Sequence, residues 1–229
     1  MQKSQSKDTA ELLQLFPLFE GVEANELEYL AARAEFTKFK KHDTIYQSGE
    51  RSDCLLFLIK GVVKIGRYSS DGREIIKHVL HPMSMFGELC LAGELKRKDF
   101  AVAIKKDTQI LKIQMIQLQH VMRRDPKLSM RVLNFIGNRL QNVEQRLESL
   151  IFKDARERII EFLKESARKQ GKRVGYETLI KHALTQQDIA NITGTSRQTV
   201  TSVMNDLRKA NLIYFNRRTI LIRDLGRLS

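Results

Sequence analysis

Ser196, Arg197, Gln198, Thr201 and Ser202 place short hydroxyls, one amide and one guanidinium at the head of an apolar-periodic segment. Side chains of these types suit the edges of base pairs. A guanidinium forks onto guanine O6 and N7, and a carboxamide pairs with adenine N6 and N7. To do so they must stand on the outer face of a helix, near its N-terminus, where the helix can enter a major groove. The spacing supplies that helix. Ser196 can cap it, and Val200, Val203, Met204 and Leu207 recur every three to four residues on the opposite side. Upstream, Thr185 and Asp188 have the spacing of a capping box, and Ile189 and Ile192 give a first helix its apolar side. Thr193-Gly194-Thr195 stops that helix, because glycine enters the left-handed conformation at little cost. Helix, tight turn and helix predict a helix-turn-helix, with Gln187 and Thr199 as further candidate contacts.

Any helix pair with a tight turn shares part of this pattern, and the residues C-terminal to the second helix discriminate. Asn211 to Ile222 is two β-rich apolar runs around Asn216-Arg217-Arg218, a hairpin tip with adjacent cations. Arg217 and Arg218 are predicted to hold phosphate beside the groove, as a wing does. The charge balance agrees. The chain of 229 residues has 40 Lys and Arg against 27 Asp and Glu, a net charge of +13. Residues 152–229 carry 16 of the cations and only 8 of the anions, so the excess is concentrated around the helix-turn-helix.

The remaining chemistry is sparse. No apolar run approaches the roughly 18 residues of a spanning helix, so no membrane partner is predicted. Cys54 and Cys90 are the only two cysteines and lack CxxC spacing, which points to a reducing, cytoplasmic compartment. No metal-ligand spacing, phosphate loop or nucleophile motif is present. An enzyme using the interior of the N-terminal domain is therefore the remote alternative, and no catalytic or metal-binding residue is proposed.

Those readers require a scaffold. After a helical segment from Glu11 to Arg33, short β-type runs extend from Phe36 to Ile113. They are Thr44–Tyr46, Leu55–Ile59, Val62–Ile65, Ile75–Leu80, Phe100–Ile104 and Gln109–Ile113, with Asp71-Gly72 marking a hairpin. Many short strands with regular turns predict a small antiparallel barrel or jelly roll. A long helix comes after Asp125-Pro126. Its Leu133, Ile136, Leu140, Val143, Leu147 and Leu150 are spaced 3, 4, 3, 4, 3. A seam of about two and a half heptads favours a partner helix, although packing on the chain's own barrel would also account for it. The helical pattern resumes beyond Phe152, and Arg168 to Gly175 reads as a charged connector. The expected fold is α+β: an N-terminal antiparallel β-barrel or jelly roll (1–125), a long dimerisation helix (126–152) and a C-terminal winged helix-turn-helix (153–229).

Barrel, long helix and winged helix-turn-helix, in that order, resemble the CRP/FNR family of bacterial transcription regulators. The likeness runs from about Leu15 to Ile222. Its most specific pieces are Phe86-Gly87-Glu88-Leu89 and Gly194-Thr195-Ser196-Arg197-Gln198-Thr199-Val200. The resemblance implies a sensory barrel of the cyclic-nucleotide-binding kind. Gly87 and Glu88 would lie in the turn that cradles a nucleotide, with the carboxylate accepting from a ribose hydroxyl and Leu89 beside them. Members that respond to cyclic AMP place Arg-Ser where this chain has Lys98 and Asp99, and Thr-Ser where it has Val143 and Glu144. Lys98 lacks the guanidinium fork. Asp99 would set anion beside anion, at about 1–4 kcal/mol for a separation of about 4 Å. These departures argue against cyclic AMP and leave no certain cofactor. An unidentified small-molecule effector and effector-independent DNA binding both stay open. In the reader, Arg197 matches the first Arg of the family's Arg-Glu…Arg set, while Gln198 replaces Glu and Ser202 the second Arg. The implied function is a homodimeric transcription regulator on a palindromic operator of double-stranded DNA, with RNA polymerase as a further partner.

Overall fold

The computed structural model describes residues 2–228, with side chains from residue 7 onward. Two compact units form: residues up to 67 together with 78–142, and residues 68–77 together with 143 onward.

The first unit opens with α1 (Gln2–Gln14), a single 3-10 turn (Pro17–Phe19) and α2 (Ala24–Ala31). Eight strands come next: β1 (Glu35–Phe39), β2 (Thr44–Tyr46), β3 (Cys54–Lys60), β4 (Val63–Tyr68), β5 (Glu74–Leu80), β6 (Ser84–Phe86), β7 (Phe100–Ala103) and β8 (Thr108–Gln114). They assemble into two four-stranded sheets, ordered β1-β8-β3-β6 and β2-β7-β4-β5. This is the two-sheet form of the expected architecture. The sequence of β3, CLLFLIK, lacks the alternation of a half-exposed strand because both of its faces are covered. Leu56 and Leu58 meet Tyr46, Val63, Ile65 and Phe86 between the sheets. Leu55 and Phe57 point outward into an apolar layer of helices, where Phe16 packs edge-on against Phe57 at 5.1 Å.

That outer layer includes α3 (Met115–Arg124) and the start of α4 (Pro126–Phe152), whose Leu128 and Val132 are buried in it. Pro126 occupies the first turn, where its missing N–H costs nothing. β1, β6 and α3 are not among the elements the sequence pattern predicts. β1 is a largely exposed edge strand of mixed polarity, β6 has three residues, and α3 continues from β8 without a break.

In the second unit α5 (Ala155–Gln170) starts from a capping box between Asp154 and Glu157. β9 (Lys172–Val174) and β10 (Glu177–Lys181) come next, then α6 (Gln186–Thr193), α7 (Arg197–Lys209), β11 (Ile213–Phe215) and β12 (Thr219–Ile222). The strands form one antiparallel sheet, β11-β12-β10-β9. Residues 168–175 do not form the expected connector. The first of them complete α5, and Lys172–Val174 pair with β10. All three residues of β9 are exposed, and a charged edge strand of this kind has no apolar pattern to betray it.

Just beyond β10, His182 is half-buried. Its Nδ1 lies 3.1 Å from Leu184 O, which makes it the protonated nitrogen of the neutral ring, and Nε2 is buried without a partner. Burial, only partly opposed by the Leu184 bond, holds its pKa below the ordinary 6.5. The folded state therefore favours the neutral ring. Its contribution is complete above the unfolded pKa and declines as pH falls through 6.5 toward the lowered folded value. Thermal melts from about pH 7.5 to 5 should show His182→Gln losing less stability on acidification than the parent chain.

Candidate nucleic-acid interface

The reader is built from α6 and α7. Thr185 caps α6 by accepting from Asp188 N at 3.1 Å, and Asp188 returns a bond to Thr185 N at 2.8 Å. At the other end Gly194 adopts φ +63°, and a Cβ there would stand 3.1 Å from Leu150 Cδ2. The left-handed conformation favours glycine there, and the approach to Leu150 is one that a small shift of that side chain would relieve. The helix leaves carbonyls without intrahelical partners, and two arginines take them. Arg158 Nε donates to Thr193 O at 2.8 Å and its Nη2 to Gly194 O at 3.3 Å, while Arg146 Nη2 donates to Ile192 O at 2.7 Å. Cations at a helix C-terminus also oppose its negative end. Sequence reasoning missed both residues, because they lie 35 and 46 positions from their acceptors.

Ser196 caps α7 by accepting from Thr199 N at 3.0 Å. Val200, Val203, Met204 and Leu207 are buried as their periodicity requires. On the opposite face Arg197, Gln198, Thr201, Ser202 and Asn205 line one shallow, open groove. Asn205 is not among the expected contacts, although it stands four residues after Thr201 and so one turn along the same face. The candidate residues divide by what already engages them. The Thr201 hydroxyl lies 2.8 Å from Gln186 Oε1 and 2.8 Å from Arg197 O, tying α7 to α6. Ser196 Oγ and Thr199 Oγ1 are 2.8 Å apart, and Gln187 Nε2 donates to Asn191 Oδ1 at 2.8 Å. These four set the geometry of the face. Arg197, Gln198 and Ser202 are exposed on it.

The hairpin of β11 and β12 presents Arg217 and Arg218, both exposed, at its tip. Asn216 Oδ1 accepts from Arg218 N and from Thr219 N, each at 3.0 Å, which fixes the turn locally.

The barrel candidates fall differently. Gly87 has φ +79°, and Glu88 is buried with its carboxylate 3.2 Å from Arg139 Nε of α4. Leu89 and Lys98 are exposed, so neither enters the barrel. The cation that does is Arg97, which sequence reasoning missed. Its Nη1 donates to Gly87 O at 3.1 Å, its Nη2 to Cys54 O at 2.6 Å, and its guanidinium stacks 4.7 Å from the Tyr46 ring centroid. Asp99 is half-buried and hydrogen-bonded to the Tyr46 hydroxyl. Burial, with that carboxylate beside it, raises the phenol well above its usual range. Val143 and Glu144 are exposed on α4, whose contribution to Glu88 is Arg139 instead. Burial pushes the Cys90 thiol up to about 12 and raises that of Cys54, so both are held as thiols.

Of the six seam residues of α4, Leu133, Leu140, Val143, Leu147 and Leu150 are each at least half exposed, and Ile136 packs partly on the chain's own core. Among the described residues no helix is long and apolar enough to cross a membrane, and no group of three His, Cys, Asp or Glu is placed to hold a metal.

Residues 36–125 match the profile of the cyclic nucleotide-binding domain, and residues 157–229 match that of the Crp-like helix-turn-helix domain. A CRP-like cAMP-activated global transcriptional regulator of Mycobacterium tuberculosis is 31% identical over 221 residues, spanning 96% of this chain and 97% of that protein. A global nitrogen regulator of Nostoc sp. is 30% identical over 80% of this chain and 83% of its own length. Among solved structures, FixK2 from Bradyrhizobium japonicum shares the fold with a TM-score of 0.76, at 24% identity, over 85% of this chain and 95% of that one. A CooA mutant from Carboxydothermus hydrogenoformans gives 0.72 at 25% identity, over 86% of both chains.

Removing the Arg158 guanidinium should loosen the turn without touching the reading face. Arg158→Ala is expected to cost about 1–3 kcal/mol of stability, with Arg158→Lys recovering part. Hydrogen exchange should localise the loss of protection to the end of α6 and the start of α7.

Proposed function

The chain belongs to the CRP/FNR family and is a DNA-binding transcription regulator rather than an enzyme; on that premise we propose that it acts as a homodimer on a palindromic operator and that cyclic AMP is not its effector. The observation that carries the DNA reading is the outer face of α7. It combines an exposed guanidinium, an exposed carboxamide and small hydroxyls on a helix whose other face is buried. Arg197 would fork onto guanine and Gln198 pair with adenine, Ser202 and Asn205 would extend the contact, and Arg217 and Arg218 would hold phosphate. Ser196, Thr199, Thr201 and Gln187 would act chiefly by fixing the face.

The exposed apolar seam of α4 supports the dimer. Each Leu or Val that it buries against a second copy contributes about 1.5–3 kcal/mol at full burial. Two-fold symmetry then calls for two half-sites about one helical turn apart. Cytoplasmic operation with RNA polymerase as a partner belongs to the same reading. The M. tuberculosis relative is named as cAMP-activated. This chain keeps Gly87 and Glu88 but has Lys98-Asp99 and Val143-Glu144 at the other positions expected to meet the nucleotide.

Selection of bound duplexes from a random pool, at stated salt, should return a two-fold symmetric motif; an asymmetric motif would remove the dimeric reader. Arg197→Ala is expected to cost about 1–3 kcal/mol on the selected site and to relax discrimination at one position. Arg218→Ala should weaken all sequences alike and lower the salt slope by about one. Both are measurable by anisotropy titration across salt concentrations. Leu140→Glu with Leu147→Glu should turn a dimer into a monomer by sedimentation velocity. The same pair should abolish preference for the palindrome and leave weak non-specific binding intact.

A further inference from the structure

The hairpin of β4 and β5 supplies no side chain to the reading face, yet residues 68–77 belong to the same compact unit as α6 and α7. Its strands run on from a barrel sheet, where β4 lies between β5 and β7 and pairs with β7 along Val63–Gly66. The tip is closed by bonds of its own. Ser69 N donates to Arg73 O at 2.9 Å, Gly72 N donates to Ser69 O at 3.0 Å, and Arg73 Nε meets the Asp71 carboxylate at 2.6 Å. A short hairpin closed in this way moves as one piece rather than bending at its turn.

Glu74 connects this hairpin to α6. Its Oε2 accepts from Asn191 Nδ2 at 2.8 Å, and Asn191 Oδ1 in turn accepts from Gln187 Nε2 at 2.8 Å. One amide thus stands between the hairpin and a side chain among the candidate DNA contacts. Arg146 of α4 makes a second connection. Its Nη1 donates to Lys77 O, and its Nη2 donates to Ile76 O at 3.1 Å and to Ile192 O at 2.7 Å. A carboxylate partner would sit on a flexible stem, whereas a carbonyl cannot move without its own strand or helix. The planar guanidinium therefore fixes the backbone of β5 to the last turn of α6. Burial lowers the pKa of this group, with Glu165 partly opposing the shift, so the fork is withdrawn from the water that would otherwise answer those oxygens.

We propose that the β4–β5 hairpin is a positioning element of the reader: Glu74 through Asn191, and the carbonyls of Ile76 and Lys77 through Arg146, fix α6 to β5. The Thr201 bridge to Gln186 ties α7 to α6, so a shift of β4 and β5 is delivered to the reading face. The operator readout of this proposal rests on the assignment of α7 as the reader, and the exchange readout does not.

The test uses the full-length chain and the operator selected from the random pool. Asn191→Asp sets a carboxylate against Glu74 while keeping the acceptor for Gln187. It should speed amide hydrogen exchange in α6 and weaken operator binding. Glu74→Gln can donate to that new carboxylate and should restore both. Its gain in operator affinity should be at least about fivefold larger in the Asn191→Asp chain than in the parent. Equal gains in the two backgrounds would mean that only net charge matters, and would overturn the link. Arg146→Gln should lower the ratio of operator to non-specific affinity about tenfold, because a reader held in its pose for a fraction of the time loses affinity by that fraction. An unchanged ratio would overturn the proposal. If no sequence is selected at all, the reader assignment fails, while exchange still decides the hairpin's role: α6 protection unaltered by Asn191→Asp and by Arg146→Gln would overturn it.

Discussion

Every side chain that could read a base pair depends on the pose of α7, which in turn rests on how the carbonyls at the end of α6 are satisfied. A helix that stops after eight residues leaves oxygens pointing into the turn, and an unpartnered buried carbonyl costs as much as a lost hydrogen bond. Arg158 and Arg146 answer that demand from two other helices, and Gly194 lets the chain reverse beside Leu150. The turn is thus held by groups that cannot relax independently. The Thr201 bridge to Gln186 closes the arrangement from the α7 side.

The consequence is a division of labour along one short helix. Hydroxyls nearest the turn are engaged in caps and bridges, and the longer Arg197 and Gln198 extend from a rigid base. Preorganisation of this kind reduces the side-chain ordering that binding must otherwise impose. The wing obeys the same logic on a smaller scale. Asn216 fixes the hairpin tip through two backbone bonds, leaving the neighbouring guanidiniums of Arg217 and Arg218 exposed.

The barrel has its own governing constraint, the double burial of β3. With both faces covered from Leu55 to Leu58, those residues are apolar without interruption, and at the strand's start a guanidinium comes in beside Cys54. Arg97 enters an interior of low polarity and is accommodated by two carbonyls and an aromatic face. Burial there also keeps both cysteines protonated, which makes thiolate chemistry a poor fit to this site.

The features legible in the residue order are local ones. Caps at Thr185 and Ser196, the stop at Gly194, the buried stripe of α7, the hairpin around Asn216 and the apolar seam of α4 all depend on residues within about four positions of one another. Most strands of the barrel were legible for the same reason. The cation at the cradle was settled only by folding. Arg97 and Lys98 are adjacent cations in the irregular segment before β7, and nothing short of the packed barrel says which of them is inside. Folding likewise brought Arg139 to Glu88, closed α6 with Arg146 and Arg158, and made a strand of Lys172–Val174. Each of those depends on a partner distant in sequence, and no local pattern encodes where such a partner will be.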